Sequence, residues 1–251
     1  MTAVIGALTV AGVVVLVGAA VSSAGGARSP VEGESTRLVV IGDSLSTGID
    51  TPGNPWTREA QALFATRGLE VQITNASENG AGYAASGDNG HVFLDLVNRV
   101  VSARSQIVLL FGSDNDVGQP GVAPAMSQTL QRVTALAPRA KLIVVGPPSV
   151  PADPGEQLTG VRDALASAAA HVGGGFVDPL TLGWFQGDAS RFVAPDGEHP
   201  NADGEQYLAQ QMTDVVAADH APNLSICTGC SPPSWLSSAS FQRPARTVNV
   251  W

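Results

Sequence analysis

Five short apolar segments recur along the chain, and this recurrence constrains the fold more than any other feature. They are rich in β-branched residues and lie at 37–41, 70–74, 106–111, 141–145 and 175–177. Longer segments with helical patterns follow them, at 56–67, about 92–104, 122–136, 155–171 and 202–218. Unbroken apolar runs are typical of parallel strands covered on both faces. The sequence therefore predicts a three-layer α/β/α sandwich with about five mostly parallel strands.

The N-terminal residues differ from this pattern. Residues 3–21 contain only Ala, Val, Leu, Ile, Gly and one Thr, and a helix of that length approaches the roughly 30 Å hydrocarbon core of a bilayer. Small residues follow, as a signal peptidase requires. We interpret the segment as a signal peptide or a membrane anchor, which predicts an extracytoplasmic protein, secreted or anchored. The domain boundaries that follow are 1–24 for this segment, 25–36 for a linker, 37–221 for the folded domain and 222–251 for a Pro/Ser-rich tail.

Charge and cysteine content narrow the function classes. The chain has 22 acidic residues against 13 Lys and Arg, a formal charge of −9, and its single lysine is Lys141. Nucleic acids and anionic membrane surfaces attract clusters of basic residues, so neither is expected as the main partner. The only cysteines are Cys227 and Cys230. A zinc site needs four ligands, so in an oxidising compartment this pair predicts a local disulfide rather than a metal site.

Polar residues that suit nucleophilic catalysis lie directly after predicted strands. Ser44 follows the first strand, and Asp196 and His199 lie before the last helix. An Asp three residues before a His can accept a hydrogen bond from Nδ1, which leaves Nε2 free to take a proton from a serine. The loops after the second and third strands, 75–80 and 112–116, contain glycine and asparagine residues, whose backbone N–H and side-chain amide groups can stabilise an oxyanion.

These residues sit in four blocks that resemble, in order, the motifs of the SGNH (GDSL-type) hydrolases. The blocks are GDSLS at 42–46, NASENG at 75–80, GSDND at 112–116 and DGEHP at 196–200, and the resemblance covers roughly residues 37–218. It implies a flavodoxin-like fold and the hydrolysis of an ester by a Ser-His-Asp triad, without a metal or another cofactor.

The resemblance also implies a role for each matching residue. Ser44 corresponds to the nucleophile, His199 to the general base and Asp196 to the residue that orients it. The oxyanion hole corresponds to the N–H groups of Ser44 and Gly80 and the side chain of Asn115. GSDND is one residue longer than the family pattern GxND, so the turn before Asn115 is expected to differ.

Two other functions compete with this interpretation. Gly80, Gly82 and Ala85 fit the GxGxxA pattern of a dinucleotide-binding oxidoreductase, in which Asp114 binds a ribose hydroxyl. A catalytically silent envelope-binding module would keep the fold without the reaction. Asp114 and Asp116 are otherwise expected to be solvated loop carboxylates. We predict an extracytoplasmic serine esterase that hydrolyses or transfers acyl groups of carbohydrate or lipid esters through an acyl-enzyme.

Overall fold

The computed structural model describes residues 35–150 and 152–220, with side chains to residue 218. Its strands are β1 (Thr36–Ile41), β2 (Val71–Asn75), β3 (Ile107–Phe111), β4 (Lys141–Val145) and β5 (Gly175–Val177). They form one sheet in the order β2-β1-β3-β4-β5, and every neighbouring pair is parallel. This is the strand order of flavodoxin-like folds, so the predicted fold class is confirmed.

Helices connect the strands and cover both faces of the sheet. They are α1 (Ser44–Thr47), α2 (Trp56–Thr66), α3 (Phe93–Val100), α4 (Val122–Leu136), α5 (Gly155–His171), α6 (Pro179–Leu182) and α7 (Ala202–His220). Two 3₁₀ turns lie at Asp114–Asp116 and Gly187–Phe192. The five long helices were predicted, whereas α1, α6 and the 3₁₀ turns were not, because a single turn is too short to show a helical period.

The unbroken apolar runs have a simple cause in the two-sided core. Successive side chains of a strand point to opposite faces, so β1 sends Val39 and Ile41 to one face and Leu38 and Val40 to the other. The first face packs against residues of α3, α4 and α5, and the second against residues of α2 and α7. Because both faces of the sheet are buried, the residues of β1 that point to either face are apolar.

Several interpretations of the sequence fall on residues that the structure does not describe. The apolar segment 3–21, most of the linker, Cys227, Cys230 and the rest of the tail at 222–251 lie outside the described residues. Among the helices of the described part, none combines the length and the hydropathy needed to cross a bilayer.

Candidate active site

The turn from β1 into α1 places Ser44 at the carboxyl edge of the sheet. Asp43 caps α1, and its Oδ1 accepts a hydrogen bond of 2.9 Å from the Leu45 N–H. A Cβ atom at position 42 would lie 2.7 Å from Ser46 Oγ, so the turn requires Gly42. Leu45 points into the core, and Ser44 is 8% exposed. Because β1 lies inside the sheet, the loops after both neighbouring strands flank Ser44.

Asp43 is buried, and the pKa of its carboxyl group is raised. Burial raises the pKa of Asp43 from 3.8 to about 7, and the nearby charge of Asp114 acts in the same direction. The Ser113 hydroxyl and the Leu45 N–H oppose this rise in pKa. An aspartate in the nucleophile motif thus sits behind Ser44 in a largely desolvated environment, where its charged form is disfavoured.

The loop after β2 packs against this turn and carries Gly80. The Glu78 N–H donates to the Gly42 carbonyl at 3.1 Å, and the Thr47 hydroxyl donates to the side chain of Asn79. Gly80 has a φ of 72°, in the left-handed region that favours glycine. Within the described part of the chain, the N–H groups of Ser44 and Gly80 donate to no protein acceptor, so both remain available to a ligand.

Asp116 holds the continuation of the same loop, which corrects the expectation that this carboxylate is solvated. Its side chain is fully buried. It accepts hydrogen bonds of 2.8 to 3.1 Å from the N–H groups of Tyr83, Ala84 and Ala85. A Cβ atom at position 82 would lie 2.6 Å from Asp116 Oδ1, so only Gly82 permits this approach. Asp114 is half-buried, and burial raises its pKa, so it too is not simply solvated.

Asn115 lies in the 3₁₀ turn Asp114–Asp116, which accommodates the extra residue of the GSDND motif. Ser113 caps this turn, and its Oγ accepts hydrogen bonds from the backbone N–H of Asn115 at 3.0 Å and from Nδ2 at 2.8 Å. The same Nδ2 lies 3.3 Å from Asp43 Oδ2 and 3.4 Å from the Ala81 carbonyl. The amide of Asn115 is therefore tied to the turn that carries Ser44.

Asp196 and His199 form a hydrogen-bonded pair in the loop before α7. His199 Nδ1 lies 2.6 Å from Asp196 Oδ2. Asp196 Oδ1 accepts from the N–H groups of Glu198 and His199 at 3.0 and 3.1 Å. A proton on Nδ1 that donates to this carboxylate leaves Nε2 unprotonated in the neutral ring. No hydrogen bond between Ser44 and His199 is present among the described residues.

The pKa of Asp196 is lowered and the pKa of His199 is raised, and both shifts favour the charged forms of the pair. The Glu198 N–H, and then the hydrogen bond with His199, hold the pKa of Asp196 well below its ordinary value. Burial disfavours the imidazolium of His199, but the hydrogen bond with Asp196 and the charges of Glu198 and Asp50 outweigh it and raise the pKa of His199 above 6.5. Asp196 thus stays ionised, and it stabilises a proton on the ring.

Glu205 in the first turn of α7 was missed by sequence reasoning. It accepts from the Thr51 hydroxyl at 2.9 Å and from the Trp56 N–H at 2.6 Å, which ties α7 to the segment between α1 and α2. Burial raises the pKa of Glu205 to about 7. An acidic residue in a first turn is common at any helix N-terminus, so the sequence held no signal that would distinguish it.

Asp50, on the segment that Glu205 holds, was also missed. One ligand atom each of Asp50, Asp196 and His199 lies within 4.8 Å of the others, which makes them the one group of potential metal ligands among the described residues. Asp196 is already engaged by the imidazole ring. The cluster is accounted for by an Asp-His pair with a second carboxylate beside it.

The dinucleotide-binding interpretation does not agree with the structure. Its fingerprint requires a helix that opens at the glycines, so that the N-terminus of the helix meets the pyrophosphate. The segment from Gly80 to Ala85 opens no helix, since α3 begins only at Phe93. Contact with Asp116 explains Gly82 without a nucleotide.

The chain is similar to known proteins in both sequence and fold. Residues 40–207 match the sequence profile of the GDSL-like Lipase/Acylhydrolase family. The chain is 36% identical over 223 residues to the GDSL lipase Rv0518 of Mycobacterium tuberculosis, with 84% of this chain and 96% of that protein aligned.

Two solved structures illustrate the similarity in fold. The lipase/acylhydrolase from Enterococcus faecalis superposes with a TM-score of 0.61 at 16% identity, over 73% of this chain and 96% of that chain. The psychrotrophic esterase EstA from Pseudoalteromonas sp., described as inhibited by monoethylphosphonate, superposes with a TM-score of 0.58 at 16% identity, over 73% and 98% of the two chains.

Proposed function

Because this chain belongs to the GDSL-like lipase/acylhydrolase family and is an ester hydrolase, we propose that Ser44 is its nucleophile and that Asp196 and His199 complete a catalytic triad. The observation that carries the proposal is the 2.6 Å contact between Asp196 Oδ2 and His199 Nδ1, together with the position of Ser44 at the start of α1, directly after β1. A carboxylate in that position fixes the tautomer of the ring and stabilises the imidazolium that forms during the reaction.

The reaction proceeds through an acyl-enzyme. Ser44 Oγ attacks the ester carbonyl carbon while its proton passes to His199 Nε2, and a tetrahedral intermediate forms. This intermediate collapses by breaking the bond to the alcohol oxygen, which takes the proton from the ring and leaves as the free alcohol. Water then attacks the acyl-Ser44 carbonyl, gives a proton to His199 and releases the acid, and Ser44 recovers its proton. If a second alcohol replaces water, the acyl group is transferred instead.

Three donors stabilise the negative charge that develops on the carbonyl oxygen. They are the N–H groups of Ser44 and Gly80, neither of which donates to an acceptor in the described part of the chain, and Nδ2 of Asn115. These donors are positioned by Asp43, Ser113 and Asp116. Each of the three contacts a donor or the loop that carries one. Donors fixed in advance in this way require no rearrangement in the transition state.

The substrate is a carbohydrate or lipid ester, encountered outside the cytoplasm. A lipid ester is supported by the name of the M. tuberculosis relative, a GDSL lipase. A carbohydrate ester is supported by a solved acetyl xylan esterase with a TM-score of 0.56 to this chain. The extracytoplasmic location rests on the apolar segment 3–21.

The test of the nucleophile uses a fluorophosphonate probe and an activated ester. The native protein is expected to react with the probe at Ser44, and Ser44→Ala is expected to lose labelling and more than about 10⁴-fold in turnover. Ser127→Ala, which removes a hydroxyl from α4 instead, serves as the matched control and keeps both. A Ser44→Ala protein that hydrolyses the ester within tenfold of the native rate would refute the triad.

The location is tested by fractionation of cells that express the full chain. The protein is expected outside the cytoplasm, with Cys227 and Cys230 unreactive toward thiol reagents until reduced. Recovery in the cytosolic fraction would contradict the location, and free thiols in envelope material would contradict the disulfide.

A further inference from the structure

A cavity of about 650 Å³ lies directly beside the candidate catalytic residues. Leu45, which follows Ser44, and Glu198, which precedes His199, both line it. The loop that carries Asn115 contributes Asp114 and Val117, and the start of α5 closes the far side. The cavity therefore adjoins the segments that carry Ser44, Asn115 and His199, and it has room for one substituent of an ester held at Ser44.

The inner surface of the cavity is apolar and well anchored. It includes Leu45, Val117, Leu158 and Phe185. Phe185 has a φ of 61°, the only positive φ at a non-glycine residue in the described part of the chain, although its side chain is 2% exposed. Bulky residues rarely adopt this conformation and keep it only where surrounding contacts enforce it. Here the Phe185 ring packs edge-on against Tyr207, with centroids 5.3 Å apart.

The rim of the cavity carries negative charge alone. Four carboxyl groups line it, those of Asp114, Asp153, Glu156 and Glu198, and none of the described lining residues is Lys, Arg or His. The single lysine of the chain, Lys141, begins β4 and so lies at the opposite end of the sheet from the site. The protein as a whole has a formal charge of −9. A ligand with a carboxylate or phosphate in this cavity would meet like charges, with no cation to pair with it.

We propose that this cavity selects substrates by charge: the enzyme accepts esters whose substituent in the cavity is neutral or cationic and rejects those with an anionic group there. The side chains of Leu45, Val117, Leu158 and Phe185 give such an anion no hydrogen-bond donor, and the acidic rim repels it across a partly desolvated space. The inference rests on the proposed function, because it assumes that the reacting ester is bound at Ser44.

The experiment compares esters that differ only in terminal charge. One series places the charge on the acyl group, as 4-nitrophenyl pentanoate, 4-nitrophenyl hemiglutarate and the 4-nitrophenyl ester of 4-(trimethylammonio)butanoate. The other places it on the alcohol, as the acetates of 4-methylphenol, 4-hydroxybenzoate and 4-(trimethylammonio)phenol. Each kcat/KM is divided by the rate constant for hydroxide hydrolysis of the same ester. In at least one series, the neutral and cationic members are expected to exceed the anionic member by about tenfold or more.

A pair of charge variants separates electrostatics from shape. Asp153→Asn combined with Glu156→Gln neutralises rim groups that do not touch Ser44 or His199, and it is expected to raise kcat/KM for the anionic ester relative to the neutral one about threefold or more. The matched control, Asp163→Asn with Asp214→Asn, makes the same change in net charge on exposed faces of α5 and α7 and leaves the ratio within twofold. Raising the salt concentration to 0.5 M is expected to reduce the discrimination in the native protein.

The inference is overturned if the normalised rates for the anionic and neutral esters agree within threefold in both series. It is also overturned if the rim variant and the control variant give the same ratio. Failure of the proposed function looks different, since the protein would then hydrolyse none of the esters and Ser44 would not react with the phosphonate probe.

Discussion

Two aspartates of the candidate site, Asp43 beside Ser44 and Asp196 near His199, have very different environments. Asp43, next to Ser44, is fully buried, and its pKa is raised to about 7 because burial disfavours its charge. The side chain of Asp196, next to His199, is 39% exposed, and its pKa lies below the ordinary value because N–H groups and an imidazole surround its charge. The same residue type is thus pushed toward the neutral form on one side and held ionised on the other.

The hydrogen bonds of Asp43 and Asp196 also differ in how far along the chain their partners lie. Asp43 contacts Asn115, 72 positions away, and the loops after β1, β2 and β3 share hydrogen bonds. Among the described residues, Asp196 forms hydrogen bonds only within its own turn, to residues two and three positions away. We expect changes on the Ser44 side to affect both stability and activity, and changes at Asp196 to affect activity far more than stability.

Among these variants, Asp196→Asn is expected to show the largest difference between its effect on activity and its effect on stability. The Asn side chain favours the wrong tautomer of His199, so turnover is expected to fall about 10³- to 10⁴-fold, while the melting temperature changes by less than about 3 °C because few contacts are lost. Turnover of an activated ester and thermal unfolding are the measurements. Asp163→Asn, at an exposed position on α5, is the control and keeps nearly full activity.

The pH profile supplies a second readout of the same pair. In the native protein, kcat/KM is expected to rise with pH through a midpoint above 6.5, because the pKa of His199 is raised and the ring acts as a base only when neutral. In Asp196→Asn the residual activity is expected to have a lower midpoint, since the carboxylate that favours the imidazolium is gone. An unchanged midpoint would show that another group controls the rate.

Asn115→Ala tests the Ser44 side of the site, and its effect on turnover is expected to be smaller than that of Asp196→Asn. Loss of one oxyanion donor is expected to lower kcat about 10²- to 10³-fold with KM little changed. Ser113→Ala is expected to lower kcat about tenfold, because Ser113 acts through its two hydrogen bonds to Asn115. If Ser113→Ala were the more damaged of the two, Asn115 would not be the oxyanion donor.

Asp43 offers a prediction about stability rather than rate. Between its unfolded pKa of 3.8 and its folded pKa of about 7, the folded protein binds more protons than the unfolded chain, so the free energy of unfolding falls as pH rises through that window. The contribution is on the order of 4 kcal/mol. Asn can still cap α1, so Asp43→Asn is expected to flatten this part of the profile, measured by urea unfolding at pH 4.5, 6 and 7.5.

Two further variants control the stability measurement. Glu205→Gln removes another buried carboxyl whose pKa is raised to about 7, so it is expected to flatten the same window. Asp163→Asn removes an exposed carboxyl group of α5 instead, and it is expected to leave this window unchanged. A profile that Asp43→Asn does not alter would show that this carboxyl group is ionised in the folded protein throughout.

The sequence by itself determined the sheet, the long helices and the order of the motifs. Short β-branched runs separated by helical segments leave few alternatives to a parallel sheet covered on both faces. Because the carboxyl ends of parallel strands share one edge, the positions of Ser44, Gly80 and Asn115 after their strands already indicated a common site. These features depend on local spacing, which a single sequence displays.

Only the tertiary structure decided which carboxyl groups are buried and which are solvated. Asp116 was expected to be solvated, yet it is fully buried and holds the loop after Gly80, while Asp43 and Glu205 gave no signal of their buried environments. Whether a carboxyl group is desolvated, and which distant N–H groups it meets, depends on the packing of segments far apart in the chain. The sequence specifies the types of the reacting groups, whereas their ionisation is a property of the folded arrangement.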